Sequence, residues 1–233
     1  MKKFTSLFSA GIILSTMVGG GLTAFADEVT PEEPTSSVVD TKKTPVTATF
    51  ELPTNGGENP SVPGDPDDND NTNNNSDQAF AIAYQPKEFN FGTTKLKDKG
   101  EQVISSTNTK TYHVGVKDKR RKNEAWNLNA VLEWTGANKD QMTGTTIKVS
   151  GASVKKNVNG NLEGQANPDG VSGSAEFTLG TSSTNVMTAS AQQRNDVYDD
   201  QLTNVQLVIP EAGNVAAGTY NGTVTWTLES APK

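Results

Sequence analysis

Two stretches of the chain alternate apolar and polar side chains with a period of two, and each contains the pattern Trp-x-Leu. In the first stretch Trp126 and Leu128 begin a row of apolar side chains at every second position, and in the second Trp226 and Leu228 complete such a row. Successive side chains of a β-strand point to opposite faces of its sheet. The two stretches are therefore predicted to be half-buried strands and not helices.

Strand-like patterning recurs along the C-terminal part of the chain, and no stretch shows the 3.6-residue apolar stripe of an amphipathic helix. The strand-like runs are residues 80–84, 89–91, 112–116, 126–134, 146–149, 175–179, 204–209 and 220–228. Clusters of Gly, Asn, Ser and Pro separate them. This pattern predicts an all-β fold, an antiparallel β-sandwich or a barrel-like domain, with long loops at 155–173 and 180–201.

The N-terminus has the three parts of a secretory signal peptide. Lys2 and Lys3 supply the charge, residues 7–18 are mostly apolar, and Ala24-Phe25-Ala26 places small residues before a cleavage site. The apolar part is short for a bilayer and is interrupted by three glycines, which disfavours a permanent membrane anchor. We expect residues 1–26 to be removed on secretion, which leaves no membrane span.

Residues 27–78 have the composition of a disordered linker. They contain twelve acidic and two basic side chains, a net charge of −10, with many Pro, Asn, Gly, Ser and Thr residues. Such a segment buries too little apolar surface to offset the entropy of ordering its backbone. Its Asp/Asn tract fails the helix-loop-helix calcium pattern, since Asp70 and Ser76 stand where Gly and Glu are required. The predicted domain is therefore 79–233, with a net charge of +1.

Catalytic and metal-binding patterns are weak in this sequence. The single histidine, His113, lies in a strand-like run, where we expect it to be exposed and not to act as a base. The chain has no cysteine, so a zinc site lacks ligands, and no cofactor is predicted. Paired carboxylates of a glycosidase are the remaining enzymatic alternative, with Glu133 and the aspartates at 196, 199 and 200 as candidates. We predict that the protein is not an enzyme.

A basic cluster immediately precedes the first Trp-x-Leu strand. Residues 117–122 contain five cations, which could meet the phosphates of an anionic cell-wall polymer or could form a solvated connection between strands. The candidate contact residues are Asp118, Lys119, Arg120 and Lys122. Binding to nucleic acid is not expected from an exported domain near neutrality.

These features together resemble the WxL-domain surface proteins of Gram-positive bacteria. The likeness includes the two Trp-x-Leu motifs, the signal peptide, the acidic linker and the segments 89–92, 116–120, 144–152 and 218–228. One departure is the basic run that begins at Arg121, where the resemblance leads us to expect a turn containing glycine.

The resemblance implies a non-catalytic protein of the cell surface, held non-covalently on the cell wall by its C-terminal domain with peptidoglycan as the ligand. The chain shows no Leu-Pro-x-Thr-Gly sorting signal, in agreement with non-covalent attachment. The resemblance also implies other cell-surface proteins as partners, so an adhesin or a subunit of a surface complex is the alternative function.

The role of the four motif residues, Trp126, Leu128, Trp226 and Leu228, is open between core packing and contact with sugar. Their regular apolar rows favour the core, where a tryptophan buries a large area. Under that interpretation the motifs join two strands, and basic or loop residues meet the wall.

Overall fold

The computed structural model describes residues 42–53, 56–57, 59–67, 69–107 and 111–230. The predicted signal peptide lies outside the described residues. The chain divides into two units, Met1–Ala48 and Thr49–Lys233. Of the first unit only residues 42–48 are described, and they are exposed and without regular secondary structure. The architecture below is that of the second unit.

The second unit is a sandwich of two antiparallel sheets, with three short 3₁₀ turns and no α-helix among its described residues. The first sheet contains β1 (Asn71–Asn73), β2 (Phe80–Pro86), β3 (Gln102–Ser105), β4 (Tyr112–Asp118), β6 (Thr146–Gly151), β7 (Lys155–Val158), β8 (Asn161–Glu163), β10 (Glu176–Leu179) and β12 (Asp196–Ile209). The second contains β5 (Asn123–Thr135), β9 (Val171–Gly173), β11 (Thr184–Gln193) and β13 (Asn221–Ser230). The all-β prediction is confirmed, and the fold is the sandwich and not the barrel-like alternative.

The long strand β12 organises the first sheet. Its N-terminal half pairs with β4 and its C-terminal half with β3, while β6 and β7 pair along its other edge. The second sheet has the order β13-β5-β11-β9, so β13 is an edge strand. The main core fills the space between the two sheets, where alternate side chains of β4, β5, β11 and β12 are buried.

Both segments that were predicted as long loops contain strands, so those predictions are wrong. Residues 155–173 contribute β7, β8 and β9, and residues 180–201 contribute β11 and the start of β12. Strand β11 shows no period of two because its register shifts between Asn185 and Met187 and again after Ala189, so that the consecutive residues Val186 and Met187 are both buried. The run 89–91, in contrast, forms no strand and packs its aromatic side chains against the core.

Part of the acidic segment packs on the outer face of the first sheet. Strand β1 pairs with β2, and Val62 is buried against a small cluster that includes Tyr84. The buried Asp65 carboxylate accepts hydrogen bonds from the backbone amides of Asn69, Asp70 and Asn71 at 2.8–2.9 Å. Burial alone would raise the pKa of Asp65, but these hydrogen bonds outweigh it and lower the pKa. The folded unit therefore begins before residue 79.

Asp200 is a carboxyl group placed inside the main core. It is fully buried, and neither of its oxygens makes a hydrogen bond of ordinary geometry among the described residues, although the backbone amide of Ala152 is near enough to offset part of the rise in its pKa. Two glycines leave room for it, because a Cβ added at Gly151 or Gly173 would lie 3.0 or 2.6 Å from Asp200 Oδ2. Burial, followed by the charge of Asp199, raises the pKa of Asp200 to about 8. The group is therefore protonated in the folded protein at neutral pH.

This placement predicts that stability falls as the pH rises from about 4 to about 8. The pKa of Asp200 is raised above its unfolded value of about 3.9, so its contribution is fully present below that value and is lost as the pH approaches 8. The loss is on the order of 5 kcal/mol by this linkage. We expect Asp200→Asn to raise the melting temperature at pH 8 and to remove most of this pH slope. Thermal unfolding between pH 4 and 8 measures it, with the exposed Glu133→Gln as control; an unchanged slope in Asp200→Asn would contradict the assignment.

Candidate functional site

The two Trp-x-Leu motifs lie side by side on neighbouring strands. Strands β5 and β13 pair antiparallel, with Leu128 directly opposite Leu228, Trp226 opposite Ala130 and Trp126 opposite Ser230. The motifs are thus related by the local two-fold symmetry of an antiparallel pair, and their side chains share the inward face. The predicted half-buried strands are confirmed.

The two motifs differ in how deeply they are buried. Trp126 and Leu128 are fully buried, since β5 has a strand on either side and the first sheet below it. Trp226 and Leu228 are only half-buried, since β13 is the edge of its sheet. Burial therefore gives Trp126 a place in the core, while part of Trp226 faces solvent.

A buried carboxylate connects the first motif to the preceding strand. Trp126 donates its indole N–H to Asp118 Oδ2 at 3.1 Å. Arg120 donates from Nε to Oδ1 at 2.9 Å and from Nη2 to Oδ2 at 3.0 Å, so Asp118 satisfies both partners at once. The Arg120 guanidinium also lies 3.6 Å over the centre of the Phe80 ring. Asp118 ends β4 of the first sheet and Trp126 belongs to β5 of the second, so this cluster joins the two sheets.

Arg194 extends the same cluster from the connection between β11 and β12. Its side chain is fully buried, with Nη1 3.9 Å from Asp118 Oδ2, and it donates to the backbone carbonyls of Glu124 and Gln192 at 2.9 and 3.0 Å. The Asp118 cluster is therefore the set Phe80, Asp118, Arg120, Trp126 and Arg194. No pattern in the sequence indicated Arg194, because its partners are mainly backbone carbonyls.

The basic cluster of residues 117–122 is largely occupied with contacts inside the protein. Lys117 is fully buried and donates to the carbonyls of Gly57 and Ser76, and burial, followed by the nearby charge of Lys119, lowers its pKa. Arg120 is held by Asp118, and Lys119 is half-buried. Lys122 is exposed, with Nζ 4.0 Å from Glu124. A role of Asp118, Lys119, Arg120 or Lys122 in wall contact stays a prediction, and burial favours Lys122 among them.

Arg121 occupies a backbone conformation that favours glycine. Its φ is +54°, in the left-handed region, and its amide donates to the carbonyl of Arg194 at 3.0 Å. The sequence has Arg121 where we expected a turn containing glycine. An arginine in this conformation costs conformational energy that a glycine would not. Its exposed side chain lines a cavity of about 430 Å³, together with the half-buried Lys156, Asp169 and Asp196.

An open groove lies along the N-terminal half of the edge strand β13. We call it the edge groove; its volume is about 360 Å³. Its aromatic lining consists of Phe89, Phe91, Trp134, Tyr220 and Trp226, and its polar lining includes Lys87, Glu88, Asn221 and Thr223. Sequence reasoning singled out Trp226 but not the others, since they come from three separate parts of the chain.

His113 was predicted to be exposed, and that prediction is wrong. It does point away from the main core, but the segment that carries β1 covers this face of the sheet, and the residue is 4% exposed. His113 Nδ1 lies 3.0 Å from both oxygens of Asp199, and Tyr84 donates its hydroxyl to the same carboxylate at 2.9 Å. Within the described part of the chain no serine or threonine hydroxyl is hydrogen-bonded to His113. The group is a buried polar network that holds the outer face together.

The carboxylates considered for a glycosidase do not converge on one cleft. Asp199 and Asp200 point to opposite faces of β12, one to His113 and the other into the core. Asp196 is paired with Lys156 at 2.7 Å, and Glu133 lies exposed on β5. Among the described residues no three His, Cys, Asp or Glu side chains are grouped so that they could hold a metal ion. In the same part of the chain, no helix is long and apolar enough to cross a membrane.

The conformation of Arg121 predicts that Arg121→Gly stabilises the protein by about 1 kcal/mol, since glycine adopts φ > 0 without steric cost. Thermal or urea unfolding measures the change. Lys122→Gly is the matched control, since φ is not positive there, and we expect it to be neutral or destabilising. Destabilisation by Arg121→Gly would show that the arginine side chain contributes more than its backbone costs.

Comparison with known proteins identifies the family to which this sandwich belongs. No curated protein and no solved structure matches the chain. The model of the family described as "WxL domain surface cell wall-binding" matches residues 33–232, most of the chain and all of the sandwich described above. The match includes both Trp-x-Leu strands and the Asp118 cluster. The chain belongs to the WxL domain surface cell wall-binding family.

Proposed function

We propose that this chain is a secreted, non-catalytic surface protein that attaches non-covalently to the peptidoglycan of the bacterial cell wall through its sandwich unit. The family match over residues 33–232 is the observation that carries the proposal. The export signal read from the sequence supports secretion.

Two features of the described residues, a groove on the surface and the burial of His113, Asp199 and Asp200, support binding without catalysis. The edge groove offers aromatic side chains to a ligand, which suits recognition of a sugar polymer. The buried His113–Asp199 pair and the buried Asp200 are committed to the interior, so neither presents an acid or a base to a substrate. The exposed Arg121 and Lys122 give a second, weaker contact to the anionic polymer associated with the wall.

A protein ligand is the alternative, and the edge strand favours it. Strand β13 is ten residues long and pairs only with β5 among the described strands. Its outward positions carry Thr223, Thr225 and Thr227, and its free edge presents backbone donors and acceptors that another strand could pair with. An adhesin or a subunit of a surface complex would use this edge.

Sedimentation of the purified chain with peptidoglycan sacculi distinguishes these functions. We expect the chain to be retained on sacculi from which the anionic polymer has been removed, with weak dependence on salt. Additional retention on untreated sacculi, lost as salt is raised above about 0.15 M, would measure the contribution of the exposed cations. Absence of retention on both preparations would contradict peptidoglycan binding and favour the protein ligand. Release of sugar fragments from the sacculi would contradict the non-catalytic assignment.

A further inference from the structure

We infer that the edge groove is the glycan-binding site, and that it binds the sugar face of a chain of β-linked N-acetylated amino sugars. The inference deepens the proposed function and rests on it. It assigns to Trp226 a contact with ligand that Trp126 does not make.

The composition of the groove fits a sugar chain. One side is formed by Phe89 and Phe91 of the segment after β2, and the other by Trp134, Tyr220 and Trp226 of the second sheet. All five rings are half-buried, so each one keeps some accessible surface. A pyranose ring has one face made largely of C–H bonds, and such a face packs on aromatic rings with loss of water from both.

Several of the rings are held before any ligand arrives. Trp134 donates its indole N–H to the carbonyl of Thr145 at 3.2 Å. The Tyr220 hydroxyl lies 2.7 Å from Gln141 Oε1 and 2.9 Å from the carbonyl of Ala216, so it can donate to either acceptor. Phe89 packs edge-on against the buried Tyr112, with ring centres 5.0 Å apart. Fixed side chains lose little entropy on binding, which raises the affinity of the groove.

Gly222 keeps the groove open at its centre. It occupies an inward position of β13 between Tyr220 and Val224, where the alternation would otherwise place a side chain. A Cβ at this position would lie 3.1 Å from Cε3 of Trp134 and 3.4 Å from Cδ1 of Leu132. Any larger side chain would therefore cover the ring of Trp134, and glycine leaves that ring accessible.

The charges of the groove favour a neutral ligand over an anionic polymer. Lys87 and Glu88 are adjacent and exposed on its rim, so their charges cancel. The other residues that line the groove are uncharged, which suits a sugar chain better than a phosphate polymer. The exposed cations Arg121 and Lys122 lie near the opposite end of β13, because Arg120 Nη1 contacts Ser230 at 3.3 Å while the groove adjoins Asn221. The groove extends along β13 as far as Trp226, so four residues of strand, about 13 Å, separate its nearer end from Ser230, and separate variants can test the two contacts.

Variants of the groove test the inference on sacculi stripped of anionic polymer. We expect Phe91→Ala and Trp226→Ala each to weaken retention about tenfold or more, as truncation of a central aromatic contact does. Leu228→Ala is the matched control, because Leu228 is half-buried on the same face of the same strand but does not line the groove. It should retain wild-type binding. Thermal unfolding of each variant accompanies the measurement, and Trp226→Leu, which keeps an apolar side chain but removes the ring, replaces Trp226→Ala if the latter does not fold.

Titration with soluble N-acetylglucosamine oligomers provides a second readout that does not depend on sacculi. We expect saturable change in tryptophan fluorescence in the wild-type chain and in Leu228→Ala, and little change in Phe91→Ala. Wild-type retention on sacculi together with unaffected groove variants would overturn the inference and leave the proposed function standing. Failure of the wild-type chain to bind sacculi would overturn the proposed function, and failure to bind the oligomers as well would overturn the inference.

Discussion

The hydrogen bonds that converge on the Asp118 carboxylate connect the two layers of this protein. Asp118 ends a strand of one sheet, Trp126 lies on a strand of the other, and Arg120 in the connection between them is bound to the same carboxylate. A buried carboxylate is tolerated only where its charge and its acceptor sites are satisfied, and here the indole N–H and the guanidinium do both. The spacing Asp-x-Arg before Trp-x-Leu is therefore explained by geometry, since the Arg returns to the Asp and the Trp meets it from the opposite sheet.

The two motifs look equivalent in sequence, but only the first, through Trp126, is hydrogen-bonded to Asp118. The first motif lies on an interior strand, where both of its apolar side chains are fully buried. The second lies on the edge strand beside it, with Leu228 paired to Leu128 and Trp226 left half-buried at the edge groove. An edge position is what allows the same side chain to contribute to the core and to remain available to a ligand. We regard this asymmetry as the link between the fold and the proposed attachment to the wall.

The parts of the fold that could be predicted are those in which one face of a strand is apolar. The rows that contain Trp126 and Trp226 predicted strands β5 and β13 and their inward faces, because burial imposes a period of two. Strand β11 could not be predicted, since two irregularities in its pairing with β5 break the period of two and bury Val186 and Met187 side by side. The buried state of His113 also escaped prediction, because the covering segment is held by polar hydrogen bonds to Asp65 and Asn71 and has little apolar content.

The candidate site was less predictable than the fold for a related reason. The composition of residues 117–122 suggests a cluster of cations that faces solvent. In the structure Lys117 donates to the carbonyl of Gly57, which is distant in sequence, and Arg120 is paired with the Asp118 carboxylate. Composition alone does not show where such acceptors will lie. The edge groove draws its rings from the segment after β2, the end of β5 and the start of β13, which only the folded chain brings together.

The three tryptophans allow the central claim to be measured in one experiment. Two-dimensional NMR of the ¹⁵N-labelled chain resolves their indole N–H signals, before and after addition of soluble amino-sugar oligomers. The account predicts that the Trp126 signal is protected from hydrogen exchange and does not shift, and that the Trp226 signal shifts as the groove fills. Rapid exchange at Trp126, or a shift of its signal in place of that of Trp226, would contradict the account.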